Sequence, residues 1–245
     1  MMKLLTYLIT VLCFYSLQAQ DLNKATQELA VRSATNDPMR PFSHYMYSFD
    51  TRYKETIGTP FFNENWSLGE VVDKNKYVWK NIWIKYDVFA DELMVKTANG
   101  DSIVVKSSAI ESFNLSVNLQ NYKFVVMKLK DFAINKTNKN EGYFQSFYNG
   151  KTIAYLRHRV SLIKGEESST YVTNTSNKFV KDSPIFYIQK KGELPLKVSR
   201  NKKSFLKVLN DKEVQLKSYI DTEKIDFTKD ADIIKLLTYY DSLSQ

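Results

Sequence analysis

Asp87, Asp91 and Glu92 form the densest group of acids in the strand-forming part of this chain, and His44 and His158 are its only histidines. Asp87 and Asp91 stand four residues apart, a spacing that puts two side chains on one face of an extended backbone. Two carboxylates so placed suit a hard cation such as calcium. Brought to the separation glycosidases use, they would divide the roles of acid and nucleophile. Neither chemistry has its usual companions here, since no glycine-containing D-x-D-x-D-G loop accompanies the pair. At a hairpin bend such acids are more simply a solvated turn. His158 shares a face of segment 152–163 with Ala154, Leu156, Val160 and Leu162, while Arg157 and Arg159 face the other way. That pattern predicts a core histidine held by one hydrogen bond rather than a base or ligand. His44 stands beside Tyr45 with no acid or second histidine near it, and no H-E-x-x-H spacing occurs, so no metal site is predicted.

Other catalytic signatures are missing. There is no G-x-S-x-G elbow, phosphate-cradling glycine loop or dinucleotide fingerprint, and all seven glycines fall at turn-like positions. The lone cysteine, Cys13, lies in the N-terminal leader. No catalytic, cofactor-binding or metal-binding residue is therefore assigned from sequence, no cofactor is expected, and enzymatic activity is not the favoured reading.

Residues 1–19 read as a secretory signal peptide: Lys3 supplies the positive start, an apolar run follows, and Leu17-Gln18-Ala19 ends on a small residue suited to cleavage. Leu12 before Cys13 is too bulky for a lipoprotein cleavage site. Export through the Sec pathway to the periplasm, the outer-membrane periphery or the exterior is expected. The mature chain would be free of thiols, stabilised by packing alone, and without an integral membrane span. The 35 basic and 27 acidic residues give a net charge of +8. The surplus concentrates at Lys190, Lys191, Lys197, Arg200, Lys202, Lys203 and Lys207, opposed locally only by Glu193. This reads as a solvated basic face, with anionic envelope surfaces as the alternative partner. An exported chain lacking the aromatic-and-arginine motifs of single-strand binders is not expected to bind nucleic acid.

The elements that must position these residues are mostly strands. The expected fold is α+β, mainly β: a curved antiparallel β-meander, either an open sheet or a partial barrel, capped by three short C-terminal helices. Residues 20–57 would form a helix or extended arm, 58–200 the β domain and 201–245 the helical cap. Strand signals recur over 66–72, 77–89, 93–96, 102–105, 113–119, 122–129, 143–148, 152–163, 171–172, 185–189 and 194–198. On 77–89, Ile82, Ile84, Tyr86 and Val88 share a face, and on 122–129 Val125, Met127 and Leu129 point inward. Asn99-Gly100 and Asn149-Gly150 read as type I′ hairpin turns. After Asn201 the period changes. Phe205, Leu206, Val208 and Leu209 fit one helix, and Asn210 with Glu213 resembles a capping box opening a second. Ile233, Leu236, Leu237, Tyr240 and Leu243 trace a third, with Asp230 and Asp232 in its first turn.

Gly58-Thr59-Pro60-Phe61-Phe62, Trp66, Gly69-Glu70-Val71, the block from Ile84 to Leu93 and the tail from Phe205 to Leu243 carry a likeness. In these segments the chain resembles a family of exported, uncharacterised proteins of Bacteroidota-type bacteria. The resemblance implies export and a sheet-then-helix plan; it implies no activity and no site residue. The favoured function is a non-catalytic secreted or envelope protein that binds a partner: an envelope protein, an anionic glycan or an apolar ligand. The alternative is a hydrolase of envelope polysaccharide using Asp87, Asp91 or Glu92, and a weaker one is an outer-membrane barrel.

Overall fold

The computed structural model describes residues 52–96, 102–132, 134, 139–165 and 176–243. The leader, Cys13, His44, the Asn99-Gly100 turn, segment 171–172 and most of the N-terminal arm lie outside them.

Twelve strands run β1 (Ser67–Asp73), β2 (Val78–Asp87), β3 (Glu92–Lys96), β4 (Ser102–Val105), β5 (Ile110–Val117), β6 (Gln120–Lys128), β7 (Glu141–Asn149), β8 (Ile153–Arg157), β9 (Val160–Ile163), β10 (Lys178–Lys181), β11 (Ile185–Gln189) and β12 (Leu196–Val198). Three helices follow: α1 (Lys202–Val208), α2 (Glu213–Glu223) and α3 (Asp230–Leu243). Ten strands form one antiparallel sheet in the order β12-β11-β8-β7-β6-β5-β1-β2-β3-β4, and β9 pairs with β10 apart from it. The plan is mainly β with helices at the end, as the periodicity predicts. It departs from a simple meander in two places: β5 pairs with β1, not with its predecessor β4, and β8 pairs with β11, not with its successor β9.

The sheet is strongly bent. β2 and β7 are four places apart in strand order, about 19 Å in a flat sheet at the usual strand spacing. Yet the rings of Tyr86 and Tyr143 meet with centroids 5.4 Å apart. Phe113 and Phe124 stack between them at 4.8 Å. Ile84, Tyr86 and Val88 enter this first core as predicted, with Ile82 packed at its margin. The same sheet face continues into a second core, where Ala154, Leu156, Phe186 and Ile188 meet Phe205, Leu216, Ile233, Leu236 and Leu237 of the helices. A third, smaller core lies on the opposite face around Leu129, Phe132, Phe144, Tyr155 and Tyr187. β6 serves both sides: Phe124 enters the first core, whereas Val125 and Met127 join Leu129 at the third.

Several turns use other residues than the dipeptide signals imply. Asn149 pairs with Ile153, so the β7–β8 connection has three residues and Asn149-Gly150 is no type I′ turn. Asp241 of α3 holds that connection instead. Its carboxylate accepts the Thr152 N–H at 3.0 Å and the Tyr148 hydroxyl at 2.9 Å. The two-residue type I′ geometry appears between β5 and β6, at Asn118 (φ 50°) and Leu119 (φ 65°). Segment 152–163 is not one strand, because His158 and Arg159 break it and send β9 into the separate ribbon. Asn201 caps α1 by accepting the Ser204 N–H. The Asn210–Glu213 capping box does not form; Asn210 opens a 3-10 turn, and α2 begins after Lys212 with no side-chain cap.

Candidate functional site

Asp87 ends β2 and is wholly buried, at 0% exposure. Its Oδ1 accepts the Ala90 N–H at 2.8 Å, which closes the β2–β3 turn. Its Oδ2 accepts the Tyr53 hydroxyl at 2.5 Å, with Arg52 Nη1 3.7 Å away. Burial pushes the Asp87 carboxyl above its ordinary range in spite of the Ala90 and Tyr53 donors. Desolvation and the adjacent Asp87 likewise raise the Tyr53 hydroxyl.

Asp91 adopts a left-handed φ of 54°, a conformation that aspartate accepts more readily than most residues. Its carboxylate meets Arg157 through Nη1–Oδ1 at 3.2 Å and Nη2–Oδ2 at 2.8 Å, and accepts the Tyr86 hydroxyl at 2.9 Å. Burial works against the Arg157 cation, but Asp91, with Tyr86 and Tyr187, more than offsets it and the guanidinium pKa is raised. Glu92 accepts from Arg52 at 2.7 Å. The acids are thus not a solvated turn: Asp91 goes to Arg157, whereas Asp87 and Glu92 both face Arg52. Among the described residues no group of three or more His, Cys, Asp or Glu is placed to hold a metal.

His158 sits beside the first core, between β8 and β9. Its Nε2 lies 2.7 Å from Gln145 Oε1, and its ring meets Phe62 edge-on at 4.9 Å. Burial, then the nearby Lys181 and Arg157 charges, lower its pKa to about 4. The imidazole is a half-buried group with one hydrogen bond, as expected, but it lies in the break between β8 and β9 rather than on a strand face.

Asp91 and Glu92 do line a cleft, whereas Asp87 and His158 do not. It has a volume of about 880 Å³ and opens between the end of β4 and the start of β7. Around it stand Lys106, Lys128, Lys130 and Lys139, with Glu141 as the third acid. Every acid is matched: Asp91 by Arg157, Glu92 by Arg52, and Glu141 by Lys74 at 3.8 Å. Lys139 is tied down, donating to the backbone oxygen of Asp91 at 3.0 Å. Lys128 and Lys130 form no ion pair with the described residues. The mouth is therefore electropositive.

This lysine group escapes a reading of charge along the chain because its members come from three separate segments. The Lys-x-Lys at 128–130, where β6 ends, is the only local signal. The conspicuous basic run is met only in part, with Lys191, Lys197, Lys203 and Lys207 in no ion pair among the described residues. Asp211, Asp221 and Asp230, remote in sequence, pair with Lys190, Lys202 and Arg200. Compared with protein-family models, curated proteins and solved structures, the chain matches none.

Proposed function

We propose that this is an exported, non-catalytic binding protein whose recognition site is the lysine-rimmed cleft, and that its ligand is acidic. The carrying observation is the charge arrangement. The three acids of the cleft are met by Arg157, Arg52 and Lys74, so the ammonium groups of Lys128 and Lys130 dominate its mouth. Its size falls within the range of small-ligand sites. A leader of signal-peptide form supports export.

The partial barrel belongs to the same reading. The Tyr86–Tyr143 contact and the short 106–109 link from edge strand β4 to interior strand β5 support a sheet rolled around its first core. Aromatic rings fill that core, which favours a ligand in the outer cleft over an apolar one inside. The hydrolase reading is less favoured: Asp87 has no exposed surface, and Asp91 and Glu92 are held by Arg157 and Arg52.

Calorimetric titration with hexagalacturonate, hexaglutamate and a neutral maltohexaose tests the proposal. At least one polyanion should bind and the neutral sugar should not. Lys128→Glu/Lys130→Glu should weaken binding by ~tenfold or more, since the two reversals turn attraction into repulsion. Equal behaviour of the neutral and acidic probes, or indifference to the double reversal, overturns it.

A further inference from the structure

We infer that the β11–β12 hairpin, with the outer side of α1 next to it, is a docking site for an anionic phospholipid surface. This goes beyond the cleft and does not depend on it. Within the basic run, Lys190, Arg200 and Lys202 are taken by acids of the helical region. Lys191, Lys197, Lys203 and Lys207 are exposed and enter no ion pair among the described residues. Glu193, the one acid of the hairpin, is bound to Lys190 at 3.2 Å. Four ammonium groups are thus left for a partner that meets this side from outside.

Two leucines stand among them. Leu194 is 64% exposed and Leu196 47%. Pro195 between them is buried, which fixes the backbone and holds both leucines outward. The tip projects beyond its surroundings: Gly192 turns at φ 78°, and a Cβ there would meet no atom within 4 Å. On α1, Lys203 and Lys207 lie one turn apart, opposite Phe205 and Leu209. Those two enter the second core with Val198 of β12, so the lysine side of α1 is turned outward next to the hairpin.

A soluble polyanion would satisfy the lysines but give the leucines nothing to enter. A second copy docked through the same hairpin would set lysine against lysine. A bilayer of acidic lipids answers both features, because leucines enter below the phosphates while lysines stay at their level.

Co-sedimentation with vesicles tests this on the protein as exported, without the leader at 1–19. Vesicles of equal parts phosphatidylcholine and phosphatidylglycerol should bind it, and vesicles of phosphatidylcholine alone should not. Leu194→Ser/Leu196→Ser and Lys191→Glu/Lys197→Glu should each weaken binding by ~tenfold or more, with an unchanged thermal midpoint because all four side chains are exposed. Lys128→Glu/Lys130→Glu should bind as wild type does. Equal binding to the neutral vesicles, no binding to the acidic ones, or full binding by the leucine variant overturns the assignment. Loss in the cleft variant alone overturns it too, by placing the headgroups in the cleft. Titration with soluble polyanions is read separately, so the cleft reading stands or falls on its own.

Discussion

Arg157, the last residue of β8, grips Asp91 in the β2–β3 turn with two nitrogens on two oxygens, at 3.2 and 2.8 Å. The pair joins strands that are far apart in sheet order. Side-chain exposures of 14% and 10% put it largely out of water. Removing one partner of such a pair strands the other's charge.

Arg157→Met should therefore lower unfolding stability by about 3 kcal/mol, read from urea denaturation. Adding Asp91→Asn should recover part of the loss, because asparagine tolerates the same left-handed turn and brings no charge. A double variant no more stable than Arg157→Met alone would mean that the stranded charge is not the cause.

Not every glycine is at a turn: Gly69 lies in β1, and Gly142 lies in β7, where it makes room for the pair. A Cβ there would lie 2.6 Å from Arg157 Nη1, 2.8 Å from Asp91 Oδ2 and 2.8 Å from Leu129 Cδ2. Gly142→Ala should cost about 1–3 kcal/mol, as overpacking does. In the Arg157→Met background the cost should shrink, since the nearest obstruction is gone. Strict additivity would contradict this.

Acid should weaken the fold through His158. Its folded pKa of about 4 lies below the ordinary 6.5, so between those values the unfolded chain binds more protons and stability falls with falling pH. A shift of this size corresponds to roughly 2–3 kcal/mol lost by pH 4. Asp87, raised by burial, acts in the opposite sense, so the comparison of wild type with His158→Gln isolates the histidine. Denaturation at pH 7 and pH 4.5 should show a smaller acid loss in the variant. Equal losses would show that the imidazole is not responsible.

Leu119→Gly should stabilise the β5–β6 hairpin. Leu119 is fully exposed and held at φ 65°, a region a branched side chain resists. Relief of that strain outweighs the extra freedom glycine has when unfolded, for a gain of about 0.5–1 kcal/mol. A rise in thermal midpoint checks it; a fall would locate a stabilising role in the leucine itself.

Strand positions were largely legible because alternation is local: 102–105 and 185–189 are found as read, and the shared face of Ile84, Tyr86 and Val88 becomes the first core. Turn chemistry was less legible. Asn149-Gly150 has the residues of a two-residue turn, but Asp241, 89 or more positions away, holds Thr152 and sets the loop length. The β1–β5 pairing was invisible for a related reason, since strand order depends on contacts between segments and not on their patterns.

The sequence by itself determined the class of fold and the shared face of Ile84, Tyr86 and Val88, both of which depend on residue type and near-neighbour spacing. Tertiary structure alone decided what the charges do. Asp87 and Asp91, four residues apart, are separated by a turn and matched to Tyr53 and Arg157. Three residues of the basic run at 190–207, Lys190, Arg200 and Lys202, are met by remote acids, while scattered lysines converge on one cleft. Coulomb energy depends on distance in space and on burial, and neither is written in the order of residues along the chain.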